Sequence, residues 1–298
     1  PRARARVRAQ RAQRAGHQEA APGQPGLPDL VAGISQRQRL DVRTQRFEAA
    51  QRCINEPDPE LKVLLTRQAA AAFFAGELEF DNKTQMPDPI AAPGRPDKPI
   101  LVPPKNLPKR GMGTTEGRAC FLHAITHIEF NAMNLAWDAV YRFRDMPYGF
   151  YADFVKVASD EARHFTMLST RLREMGMHYG DFEAHNGLWE MAEKTAHSCL
   201  ARMALVPRVL EARGLDVTPG MMARLRSVGD HASADILEII LEEEIPHVAA
   251  GTRWFLWCCE QEKKEPLQTF SDLITGLAKA SIRGPYNLPA RNAAGFGD

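Results

Sequence analysis

Two stretches of this chain place Glu-x-x-His inside an apolar helical stripe, and that pattern constrains the fold more than any other feature. In "VASDEARHFTML" and its flanks, Phe154, Val157, Glu161, His164, Leu168 and Leu172 recur at three- or four-residue steps, one face of a 3.6-residue helix. In "ILEEEIPHVAAG" and its flanks, Ala234, Leu237, Leu241, Glu244, His247 and Gly251 do the same. A carboxylate on a core face is strongly unfavourable unless it is paired or binds a metal. Two helices that both carry one, with a histidine at the same offset, point to a shared purpose.

The helices before them supply matching halves. Glu129 interrupts the stripe Leu122, Ile125, Ala132 and Ala136, and Glu211 follows Leu200, Ala204 and Pro207. Glu161 lies 32 residues after Glu129, and Glu244 lies 33 after Glu211. The chain thus repeats one unit: a helix with a core-facing Glu, then a helix with Glu-x-x-His. One Glu from each of two helices and Glu-x-x-His from each of two others is the donor set of a dinuclear carboxylate bundle. Carboxylate and imidazole suit Fe and Mn, and four carboxylates balance two divalent charges.

The predicted metal ligands are therefore Glu129, Glu161, His164, Glu211, Glu244 and His247, holding two Fe ions, with Mn or a mixed Fe/Mn pair as alternatives. The plainer readings are a helix salt bridge from Glu211 to Arg208 and a satisfied core carboxylate at Glu129. Glu242 and Glu243 compete with Glu244, but only Glu244 stands three before His247. Asp160 and Glu243 each stand four before a histidine of their own helix, where an acid orients an imidazole or simply meets solvent. Pro207 and Pro246 each remove a backbone donor beside the ligands and predict a kink or a local opening. His123 and His127 read as second-layer or surface groups, His197 as packing, and the loop with His185 and Trp189 as structural.

The periodicity predicts an all-α chain with four long helices over about 115–144, 150–176, 187–213 and 220–262, the last either continuous or split by a short turn near Gly229. "GLDVTPG" reads as a stop between the third and fourth. The expected organisation is a basic disordered tail (1–30), an N-terminal helical arm (31–80), a proline-rich extended connector (81–113), a four-helix bundle (114–265), and a C-terminal helix with an irregular tail packed on the bundle (266–298). The Arg-rich start lacks the serines and apolar face of an organelle transit peptide, and is read as a tail.

A net charge of +1 gives no global field for nucleic acid or a membrane surface, and no apolar run is long enough to span a bilayer. Five scattered cysteines without C-x-x-C predict reduced thiols and a cytoplasmic setting.

"HIEFNAMNLAWDAVYRF", "ASDEARHF", "MALVPRVLEARGLDVTPGM" and "EEEIPHVAAGTRWF" resemble a family of uncharacterised bacterial ferritin-like proteins, a domain of unknown function. So do "PGRPDKPILVPPKNLPKR" and the tail "RGPYNLPARNAAGF", and the likeness spans roughly 40–298. The resemblance implies a ferritin-like bundle and a dinuclear site on the six residues above, but no reaction. The "EAR" helix and paired Glu-x-x-His are also similar to the ferritin-like tRNA hydroxylases.

The expected function is an O₂-activating di-iron oxidase or oxygenase with an unknown small-molecule or RNA substrate and a possible reductase partner. One alternative is an iron-handling, ferroxidase-type protein, which the bulk outside the bundle disfavours in a cage. Another is a structural metal protein without turnover. The third is a tRNA hydroxylase-like enzyme, whose basic face would draw on Arg202, Arg208, Arg213, Arg224 and Arg226.

Overall fold

The structure, a computed structural model, describes residues 45–79, 87–107, 111–278 and 284–296. The expected basic tail lies outside the described residues, as do residues 31–44 of the expected arm and 81–86 and 108–110 of the connector. Among the described residues the fold is all-helical, and the only β pairing is two isolated bridges. No helix among them is long and apolar enough to cross a membrane.

The arm is α1 (Arg46–Asn55) and α2 (Pro59–Phe74). Asp58 caps α2 by accepting from the Glu60 and Leu61 amides, with Pro59 at the first helical position. The bundle begins with α3 (Thr115–Arg142), capped by Thr114, and α4 (Tyr148–Glu174). Its third member is composite: α6 (Cys199–Leu205), a π segment (Val206–Glu211) and α7 (Ala212–Ser227) run on from one another. Its fourth is α8 (His231–Gln261). A short helix, α5 (Gly187–Lys194), precedes α6. After α8 come α9 (Pro266–Leu273), a π turn (Ile274–Ala278) and α10 (Leu288–Ala293).

Three boundaries differ from the sequence expectation. The helix expected over 187–213 breaks at Thr195–Ser198, where Ser198 caps the Ala201 amide. The Arg202 guanidinium spans this break, donating to Thr195 Oγ1 and to the Ala192 carbonyl. "GLDVTPG" is not a stop but part of α7, and the turn falls instead at 228–230, with Gly229 at positive φ. Pro219 deprives the Leu215 carbonyl of its helical donor, and Asn287 Nδ2 donates to that carbonyl at 3.1 Å. The Asp216–Arg291 ion pair, 2.7 Å, holds the two segments together. The supporting partner lies some seventy residues away, so the local sequence reads as a breaker. For the same reason part of the expected irregular tail forms α10.

At Pro207 the expected local opening is present: the backbone widens into the π segment. Pro246 leaves α8 uninterrupted, because both it and Glu242, whose carbonyl it leaves without a helical donor, lie on the exposed side. The widened turn packs against α8 at Gly251, where an added Cβ would lie 2.2 Å from Pro207 Cβ and Cγ. Gly251→Ala is expected to cost about 1–3 kcal/mol in chemical denaturation by overpacking. An unchanged midpoint would show that this contact yields freely.

The connector is extended as expected over 87–103 and lies along the bundle, with the Val102 amide donating to Ala184 O and the Ala184 amide to Ile100 O. The arm covers α3 and α4. Trp137 Nε1 of α3 donates to Thr66 Oγ1 of α2, and Phe47 packs edge-on to Tyr151. This covering explains why α3 is buried nearly all round, with polar groups that find partners on its outer face. Lys62, for example, donates at 2.7–2.8 Å to Cys53 O, Ile54 O and Asn134 Oδ1.

The four bundle members share two apolar layers. One is built from Leu135–Tyr141, Phe150–Ala158, Leu200–Val206 and Ala250–Cys259. The other contains Ala119 and Leu122, Leu168 and Leu172, Met222 and Leu225, and Ala234 to Ile240. The sequence positions between these layers are those of the six predicted ligands.

Candidate metal centre

Each of the four members brings its acid to this middle layer by the same register: one helical stripe, apolar above and below. Glu129 comes from α3, Glu161 and His164 from α4, Glu211 from the end of the π segment, and Glu244 and His247 from α8. Donor atoms of Glu129, Glu161, His164 and Glu244 all lie within 4.8 Å of one another, which makes this group a candidate metal-binding cluster. His247 adjoins it, Nδ1 being 3.0 Å from Glu161 Oε1 and 3.6 Å from Glu244 Oε1. Glu211 is outside the tight cluster, yet close enough that the charges of Glu244 and Glu161 act on it.

The distances sort the acids. Glu161 approaches both imidazoles, with Oε2 at 3.4 Å from His164 Nδ1 and Oε1 at 3.0 Å from His247 Nδ1. Glu244 Oε1 also approaches both, at 3.8 and 3.6 Å. Glu129 contacts His164 alone, at 3.2 Å. This leaves Glu211 on the His247 side, where the His247 charge acts on it.

Asp160 and Glu243 are in contact with the histidines, but crosswise. The sequence expectation gave each acid to the histidine four residues on in its own helix. In the structure Asp160 Oδ2 of α4 lies 3.1 Å from His247 Nε2 of α8, and Glu243 Oε2 of α8 lies 2.8 Å from His164 Nε2 of α4. Four residues along a helix puts two side chains on one face, but here each imidazole turns its Nδ1 inward, so its Nε2 reaches across to the neighbouring helix. Each acid is held from outside by a cation that sequence reasoning missed: Lys156 Nζ lies 2.5 Å from Asp160, and Arg163 bonds Glu243. The i, i+4 spacing of Lys156 and Asp160 was a visible signal; the Arg163 pair, between helices, was not.

Burial sets the electrostatics. It raises Glu129 well above the usual carboxylate range, and the Glu161 charge adds to this. Burial, with the charges of Glu244 and Glu161, pushes Glu211 up to about 8. Burial would lower His164, but its contacts with Glu129 and Glu161 outweigh that and raise it to about 11. Glu161 also resists burial and is held well below its usual range by the two imidazoles. Even so, neither oxygen of Glu161 receives a hydrogen bond, and neither does His247 Nδ1, although all three are buried. Glu161 and His247 nevertheless meet at 3.0 Å as an ion pair, so their polar atoms converge on one buried point. That arrangement, and a donor set of hard oxygens with two imidazole nitrogens, fits a pair of Fe or Mn ions.

Ion uptake needs bare lone pairs. Without metal, His164, raised to about 11, and Glu211, raised to about 8, hold protons at neutral pH, and burial favours the protonated form of Glu129 as well, so metal must expel protons. The expected result is acid release on loading, and affinity that falls by about tenfold per pH unit for each proton displaced as pH drops from 8 to 6. Chelator competition at several pH values measures this; a flat profile would contradict it.

Other sequence expectations are corrected here. Of the two readings of His123 and His127, the surface one is corrected, since both are buried: the Gly180 amide donates to His123 Nε2, and His127 Nδ1 meets Tyr179 Oη at 2.8 Å. The loop at 179–185 folds back onto α3, which the sequence of α3 alone does not reveal. His197 is exposed. Of the five arginines named for a basic face, Arg202 is buried on Asp138 and Arg208 stacks on Phe255, Phe270 and Phe296, whereas Arg213, Arg224 and Arg226 are exposed on α7, Arg226 pairing with Glu238.

A family model described as a protein of unknown function, DUF455, matches residues 55–298. The chain belongs to the DUF455 family. The matched region of this DUF455 chain includes α2, the connector, the bundle and the C-terminal segment. An uncharacterised protein of Haemophilus influenzae is 46% identical over 208 residues, 67% of this chain and 72% of that protein. No solved structure matches the chain. All five cysteines of the DUF455 chain are free thiols.

Proposed function

We propose that this chain is a dinuclear metal enzyme, with iron as the first choice of metal, that uses O₂ to oxidise an organic substrate within a ferritin-like bundle. The observation that carries this reading is the pair of inward Nδ1 atoms meeting a bare, buried Glu161, each imidazole being clamped from behind by an acid of the opposite helix. A clamped imidazole keeps one tautomer and one orientation, as a ligand must.

Glu129, Glu161, His164, Glu211, Glu244 and His247 would hold the ions, with Glu129 on the His164 side and Glu211 on the His247 side. Two iron ions there would supply the reducing electrons for O₂. The chain does the rest. The apolar layers above and below exclude water from the centre. A narrow cleft bounded by Leu135, Phe154, Val157 and Met203 reaches Glu211, with room for about one water. A cage-forming storage role is less well supported, because the arm covers α3 and α4 while α10 packs on α7 and α8. The test is oxygen uptake by iron-loaded, reduced protein in an electrode cell. Rapid uptake that is lost in Glu161→Ala is the expected result, and uptake no faster than free ferrous iron would overturn the reading.

A further inference from the structure

A groove of about 310 Å³ runs over the outer side of α4, between α2 and the start of α8. Arg67, Arg163 and Arg171 line it, with Thr166, Thr170 and the carboxylate Glu174, and Met167 and Ile236 give it an apolar wall. Its volume is at the lower end of small-molecule sites. The three guanidiniums differ in what they already hold. Arg171 is neutralised by Asp230 at 3.0 Å and Glu174 at 2.9 Å. Arg163 uses Nη2 on Glu243, with Asp160 at 3.9 Å, and keeps its remaining N–H groups. Arg67 is exposed and donates to a neutral hydroxyl, Thr166 Oγ1, at 3.3 Å, with no carboxylate pairing it among the described residues. The groove therefore keeps an unneutralised cation beside two threonine hydroxyls and an apolar wall.

We infer that this groove binds a small organic anion, its carboxylate or phosphate on Arg67 and Arg163 and a short apolar tail on Met167 and Ile236. Guanidinium groups take both kinds of headgroup in a forked, charge-assisted contact. The inference does not depend on the metal reading. It does place the ligand next to the centre, because Arg163 also bonds the Glu243 that clamps His164.

Titration calorimetry on the full chain as purified, with hexanoate, hexyl phosphate and 1-hexanol as probes, tests it. At least one anion is expected to bind about tenfold or more tightly than hexanol, and to lose about tenfold in Arg67→Gln. The tighter of the two anions identifies the headgroup. Arg253→Gln, at an exposed arginine well beyond Ile236 along α8 and outside the groove, is expected to leave binding unchanged. Hexanol binding as tightly as both anions, no binding by either anion, or equal losses in the two variants would each overturn the proposal. Both substitutions are at exposed side chains, so the fold is retained, and circular dichroism checks this.

Discussion

Glu161→Ala is expected to strip both metal ions from the protein, whereas Glu129→Ala and Glu211→Ala are each expected to retain about one ion per chain. The difference follows from reach. Glu161 stands 3.4 Å from His164 Nδ1 and 3.0 Å from His247 Nδ1, so its loss removes a donor from both sides. Glu129 contacts His164 alone, and Glu211 feels His247. Without Glu161, the two imidazoles also lose the carboxylate between them and repel any incoming cation when protonated. Metal content by elemental analysis, with circular dichroism to confirm folding, reads the result directly. Equal losses in all three variants would show that the acids do not divide as the distances suggest. Full retention in Glu161→Ala would remove that residue from the centre.

The second large effect concerns the fold that holds the centre. Asp138→Ala is expected to destabilise the protein by about 3–5 kcal/mol in urea denaturation. Asp138 is buried and accepts from Arg202 Nη1 at 2.6 Å and from Arg142 Nη2 at 2.6 Å. Arg202 is itself buried and bridges the break between α5 and α6, so removing its carboxylate leaves an uncompensated charge in the core. The exposed pair Arg226–Glu238 has a similar distance, 2.8 Å, and Glu238→Ala is expected to cost less than about 1 kcal/mol. Comparable costs for the two variants would mean that water reaches Arg202.

The sequence made the donor set legible because a helix advertises its buried face by period. A Glu or His inside an apolar stripe is conspicuous, and the near-equal spacing from Glu129 to Glu161 and from Glu211 to Glu244 tied four helices together. What lay between helices was not legible. The exchange of Asp160 and Glu243 between histidines depends on ring orientation and on the relative height of α4 and α8, neither of which local spacing encodes. The continuity of α7 through Pro219 was hidden because its compensating donor, Asn287, comes from the far end of the chain. The polar groups on the outer face of α3 looked misplaced for the same reason: their partners, such as Lys62 and Thr66, belong to the arm. Local signals failed wherever a remote segment supplied the missing bond.

The central claim is that two metal ions share the layer between the apolar halves of the bundle. Anomalous diffraction at the iron edge, from crystals of protein grown in iron-supplemented medium, tests it most directly. Two neighbouring anomalous peaks are predicted, both within coordinating distance of Glu161, one beside His164 Nδ1 and the other beside His247 Nδ1. No peak in that layer, under conditions where the protein analyses as metal-loaded, would contradict the account and reduce the buried acids and imidazoles to a structural polar network.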